Sequence, residues 1–106
     1  MTKFAVVFET ELNSLADEDY LIYAKAMEDR VATAKGFLGM ESHRFKNGKG
    51  VTISYWESKT AIAAWGKDPH HQKAQNYGKT KAYKSYTLKM FEIFDTSPDQ
   101  IFFLLS

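Results

Sequence analysis

The stretch Phe4–Phe8 constrains this chain more than any other, because its alternation leaves no polar side. Phe4, Val6 and Phe8 face one way and Ala5 and Val7 the other, so a strand over Phe4–Thr10 must be dry on both faces. The elements that follow decide what can cover it. A helix is expected from about Asp17 to Ala34, opened by the pair Ser14 and Asp17 in a capping pattern. Its apolar stripe is Tyr20, Ala24, Met27, Val31 and Ala34, at steps of four and three, and Gly36 ends it as the left-handed residue past the last turn. Strands at Phe37–Phe45 and Val51–Trp56 flank Lys46-Asn47-Gly48-Lys49-Gly50, where Asn-Gly marks a hairpin. Ser58 caps a second helix with Ala61, Ile62 and Trp65 inward. Asp68-Pro69 breaks and restarts it, and Gly78 reads as its stop. The last strand is Tyr86–Phe94, with Leu88, Met90 and Phe94 on one face and Phe91 and Ile93 on the other.

The order β-α-β-β-α-β defines an α+β, ferredoxin-like fold: an antiparallel four-stranded sheet with helices on one face. Two short helices cover one side of such a sheet and leave the other bare. A second copy of the chain is the economical cover, so a homodimer is expected. At 106 residues the chain is one domain, with a core over about 4–94 and a C-terminal tail over 95–106. Eight Phe, six Tyr and two Trp are more rings than one small core needs. Some must line a ligand pocket or a subunit interface.

Several functions are excluded or unsupported. The chain has no cysteine, which removes disulfides, thiolate metal sites and a cysteine nucleophile. A net charge of +1 leaves no electrostatic footprint for nucleic acid or an anionic membrane. The apolar stretch after Met1-Thr2-Lys3 is too short for a signal-peptide core, and the tail Ile101-Phe102-Phe103-Leu104-Leu105 is too short to span lipid. A cytoplasmic protein without membrane attachment is expected. Neither a nucleophile elbow nor a phosphate-cradling glycine loop occurs. The strand order is shared with RNA-recognition domains, but Val51 and Ile53 stand where base-stacking rings belong. The basic stretch Lys79, Lys81, Lys84 and Lys89 reads as a solvated face.

The three histidines carry no metal-ligand spacing: His70 and His71 are adjacent, so they point about 100° apart on a helix. No metal is expected. His43 lies on a strand with Glu41 two residues away on the same face, an arrangement suited to acid–base work or to a plain cross-strand contact. What remains is aromatic and apolar. Trp65, Trp56, Phe37, Tyr55, Met27 and Tyr77 could enclose a flat organic molecule between sheet and helices, or simply pack as core.

Three blocks of residues carry a resemblance: Gly36-Phe37-Leu38-Gly39-Met40-Glu41-Ser42, then Gly50–Ser58, then Ala61-Ile62-Ala63-Ala64-Trp65 followed by His71, Ala74 and Gln75. Together they resemble the antibiotic biosynthesis monooxygenase domain, in its uncharacterised single-domain bacterial branch. The resemblance implies a dimeric α+β barrel in which two ferredoxin-like sheets pack face to face. It also implies oxidation of an aromatic or quinol-like small molecule by O₂ without metal, flavin or haem. Trp65 and His43 match the family's pocket positions, with Tyr77 carried over by position. His43 would be the base and Trp65 with Tyr55 the pocket walls, and the residues themselves add Trp56, Phe37, Met27 and His71 around the ligand. Haem-degrading relatives place an Asn on the first strand and a His ten residues after the helix Trp; here Phe8, Glu9 and Gln75 stand at those positions. A dimer that binds a small apolar ligand or haem without catalysis is the alternative, and a dimer with a fully packed core a third.

Overall fold

A four-stranded antiparallel sheet in the order β2-β3-β1-β4 forms the floor of the molecule. The computed structural model describes residues 2–13 and 18–94. Within them β1 is Lys3–Leu12, α1 Glu18–Val31, β2 Phe37–Arg44, β3 Lys49–Trp56, α2 Lys59–Gly66, α3 Pro69–Tyr77 and β4 Tyr83–Ile93. This is the ferredoxin-like arrangement expected from the order of elements. The expected Ser14–Asp17 cap and the tail from residue 95 lie outside the described residues.

Residues opposite one another in antiparallel strands share a face, which sorts the sheet into two sides. Phe4, Trp56 and Phe37 are in register across β1, β3 and β2. Trp56 meets Trp65 of α2 at 6.4 Å between ring centroids, so this is the helix side. Val6, Phe8, Leu88 and Met90 share it. The helix-free side carries Ala5, Val7, Ile53, Tyr55 and Phe91, with Glu9, Glu41, His43 and Lys89 among them. Both faces of β1 are therefore apolar, as its sequence requires. Among the described residues the core is small: Trp56 is 1% exposed, and Phe4, Ala5, Val31 and Ala82 are also buried. The outer strand β4 stays bare, with Leu88 64% exposed and Phe91 50% exposed on opposite faces.

Local structure departs from expectation at four places. α1 ends at Val31 rather than Ala34, because Thr33 and Ala34 already turn back to the Arg30 and Val31 carbonyls. Gly36 then takes φ +83°, and a Cβ there would come within 2.6 Å of the Ala61 Cβ, so glycine sets both the turn and the approach of α2. On α1, Ala24 of the expected stripe is exposed, and Tyr23 instead packs inward on Tyr77. Gly78 does not stop α3 as a left-handed residue. Its φ is −59°, and the chain runs on into a π-helical turn, Gly78–Ala82. Glycine is needed there because a Cβ would sit 2.3 Å from the Tyr83 ring. Tyr83 can therefore lie down early, and β4 begins three residues before the expected start.

Candidate active site

α2 and α3 build the site through their caps. Ser58 Oγ accepts the Ala61 N–H at 3.1 Å and starts α2. Asp68 Oδ1 accepts the N–H groups of His70 and His71 at 3.0 and 3.1 Å, with Pro69 in the first turn of α3. This restart folds His71 back over Trp65. The two rings stack at 4.4 Å with 18° between their planes, and His71 Nδ1 lies 3.0 Å from the Trp65 carbonyl oxygen. A carbonyl only accepts, so Nδ1 carries the proton of the neutral ring. Trp56 continues the row toward Phe37, 5.4 Å away edge-on, and its Nε1–H donates to Ser54 Oγ at 2.9 Å. Phe37, Trp56, Trp65 and His71 thus form an unbroken run of rings.

Arg30 of α1 clamps the same corner. Its Nε donates to both Asp68 oxygens at 2.9 and 3.0 Å, and Nη2 to Oδ2 at 2.7 Å. An open cleft of about 260 Å³ follows, bordered by Arg30, Ala34, Lys35, Ala61, Trp65 and Asp68. That is near the small end of ligand pockets. The Arg30 guanidinium, helped by the His71 and His70 N–H groups, holds the Asp68 carboxyl well below the usual carboxylate range. A lowered folded value means a stabilising contribution that is present above the unfolded value of about 4 and lost as pH falls through the folded one. Asp68→Asn is accordingly expected to lower the melting temperature at neutral pH. The gap to wild type should close as pH is taken from about 5 toward 2, as followed by circular dichroism; a pH-independent gap would refute the assignment.

The structure divides the expected site residues. Trp65, Trp56, Phe37 and His71 come together as described. Tyr77 stacks on Tyr23 of α1 at 4.5 Å, and Met27 lies one helical turn further along α1, half-buried. Tyr55 faces the helix-free side, opposite Ala5 and Gly39. His43 also lies on that side, exposed and in register with Val51. The sheet therefore stands between His43 and Trp65, and one chain does not assemble that pair. A wider hollow of about 560 Å³ opens near the hairpin, bordered by Glu9, Val51, Phe45 and Tyr86. Among the described residues no three His, Asp or Glu side chains are grouped to hold a metal ion. No helix among them is long and apolar enough to cross a membrane.

A polar cluster at the other end of the helix side was not anticipated. Arg44 donates to Thr10 Oγ1 at 2.9 Å and to the Tyr20 hydroxyl, and stacks 5.4 Å above the Tyr20 ring. Tyr83 packs edge-on against Phe8 and Tyr20 at 5.6 and 6.5 Å. Burial, with the nearby Tyr20, pushes the Tyr83 phenol up to about 12, so it remains a protonated donor at neutral pH.

Topology and cleft define a ferredoxin-like α+β domain with a small cleft bordered by Trp65 on its helix side. The antibiotic biosynthesis monooxygenase family matches residues 4–77, and the chain belongs to that family. It is 37% identical over 90 residues to the uncharacterized protein YqjZ of Bacillus subtilis, covering 85% of this chain and 78% of that one. It is 28% identical over 94 residues to the jasmonate monooxygenase ABM of Pyricularia oryzae, covering 85% of this chain but only 43% of that longer protein. Among solved structures, Rv0793 of Mycobacterium tuberculosis superposes with a TM-score of 0.78 at 14% identity, covering 90% of this chain and 98% of that one. SnoaB, a cofactor-independent oxygenase of Streptomyces nogalater, gives 0.76 at 14% identity, covering 92% and 99%. Identities this low show the shared fold.

Proposed function

We propose that this protein is a monooxygenase that oxidises an aromatic or quinol-like small molecule with O₂ in the cleft beside Trp65, without a bound cofactor. The observation that carries the reading is the Trp65 ring in the wall of that cleft, stacked on His71 and backed by Trp56, on a chain of the monooxygenase family. The Trp65 ring offers a flat substrate an apolar surface at the edge of the cleft. For an anthrone the chemistry balances simply. The CH₂ group loses a proton, the resulting carbanion reduces O₂, CH₂ becomes C=O, and the second oxygen atom leaves as water with both hydrogens. The protein's share is orientation and a base. The relatives named as oxygenase and monooxygenase support this reading. Haem is not favoured, since Gln75 cannot supply the imidazole found at that position in haem-degrading relatives.

We further propose that the working unit is a homodimer joined through the helix-free side. Among the described residues no helix covers Val7, Ile53, Tyr55 and Phe91 on that side, and a self-paired face closes with two-fold symmetry. An oxygen electrode tests the catalytic reading with a panel of anthrones and quinols, run aerobically and anaerobically. Uptake of one O₂ per product is expected with at least one compound. A melting temperature raised by these compounds with no uptake would leave a binding protein instead.

A further inference from the structure

We infer that His71 is the proton acceptor of this site, receiving the substrate's proton on Nε2 while the Trp65 carbonyl holds Nδ1–H. The inference rests on the monooxygenase reading for its substrate, and on the geometry of one side chain for the group. His71 Nδ1 is committed at 3.0 Å to an oxygen that can only accept, and the ring is pinned flat at 4.4 Å on the indole. A flipped ring would keep the stack but lose the hydrogen bond to the Trp65 carbonyl. The second nitrogen of His71 therefore keeps an in-plane lone pair, and no hydrogen bond to it occurs among the described residues. A general base needs that state, neutral and oriented by a partner on its other nitrogen, and the stack on Trp65 sets His71 next to a residue that borders the cleft.

The surroundings favour it. Burial pushes the His71 imidazole below its ordinary value, against the opposing pull of the Trp65 carbonyl and the Asp68 carboxylate. From the α2–α3 turn the charged group facing it is Asp68, which is bound in turn by Arg30 of α1. From α2 come the Trp65 ring and carbonyl, and the neighbouring His70 is exposed. In the step itself the substrate C–H bond breaks, the proton forms Nε2–H, and the electron pair stays on the substrate as an enolate. The imidazolium so formed lies on the indole face, where a cation is favoured. The carbanion passes its electrons to O₂, and the proton leaves Nε2 with the oxygen atom released as water. His43 lies exposed across the sheet, and among the described residues it has neither a stacked ring nor a partner that anchors its tautomer.

Two readouts test this. Imidazole ¹⁵N resonances of the intact protein, titrated without substrate, are expected to show a His71 protonated on Nδ1 with a midpoint below about 6.5. A proton on Nε2 instead would overturn the inference, whatever the protein oxidises. With an anthrone as probe, kcat/KM should fall on an acid limb with that same midpoint. His71→Ala should lower it by roughly 10²–10⁴-fold and abolish the limb, with partial rescue by added imidazole. His71→Asn, whose amide reproduces the Nδ1 donor, guards against a fold defect and should be equally slow. An acid limb that survives in His71→Asn, or that disappears in His43→Ala, would contradict the assignment. If wild type oxidises no anthrone, the monooxygenase reading is what fails, and the tautomer titration still decides the rest.

Discussion

Truncating Trp56 to alanine is expected to cost this domain about 3–5 kcal/mol, the range for a large buried aromatic. Trp56 is 1% exposed at the point where β1, β2, β3 and α2 converge. Its loss opens a cavity under Trp65, removes the face that Phe37 packs against, and leaves Ser54 Oγ without its indole donor. Total stabilities of such domains are only about 5–15 kcal/mol, so the variant should melt roughly 15–30 °C below wild type. Trp56→Phe, which keeps most of the volume, should lose far less. A Trp56→Ala protein with an unchanged melting curve would show that the core lies elsewhere.

The second large effect is on chemistry rather than stability. Trp65→Phe keeps an aromatic on α2 but shortens the surface on which His71 stacks and against which the cleft is built. Misplacing reacting groups by about 1 Å costs on the order of 10²-fold, so turnover of an anthrone should fall by roughly that factor. Trp65 is only half-buried, and its indole is not the centre of the core. The fold should therefore survive, with a melting temperature much closer to wild type than that of Trp56→Ala. A Trp65→Phe enzyme with undiminished kcat/KM would remove Trp65 from the site.

The architecture was legible because its signals are local and repeated. Hydrophobic periods separated strands from helices, Asn47-Gly48 marked the hairpin, and Ser58 and Asp68 capped the helices where the chain turns. Gly78 was not legible, since a glycine selected for closeness to the Tyr83 ring looks the same in sequence as one selected for positive φ. The pairing of His43 with Trp65 failed for a related reason. Simple alternation puts Phe37 and His43 on one face of β2, but the register shifts between Phe37 and Gly39, so Phe37 meets Trp56 while His43 faces away from the helices. Tyr55 beside Trp56 could have been read correctly, because neighbours in a strand point to opposite sides. The His71–Trp65 stack and the Arg30–Asp68 clamp join elements whose meeting depends on how the helices sit, and no spacing announces that. The adjacent Asp68-Pro69 was the one available hint: a helix restarted there brings its third residue back over the end of the helix before it.

On the proposed monooxygenase reading, the reacting molecule binds on the helix side, against Trp65. A crystal structure of the protein soaked anaerobically with an anthrone that it oxidises in air tests this directly. Density for the rings stacked at Trp65, with the reacting carbon within reach of His71 Nε2, is the predicted result. Density on the helix-free side beside His43 and Tyr55, with the Trp65 cleft empty, would contradict it.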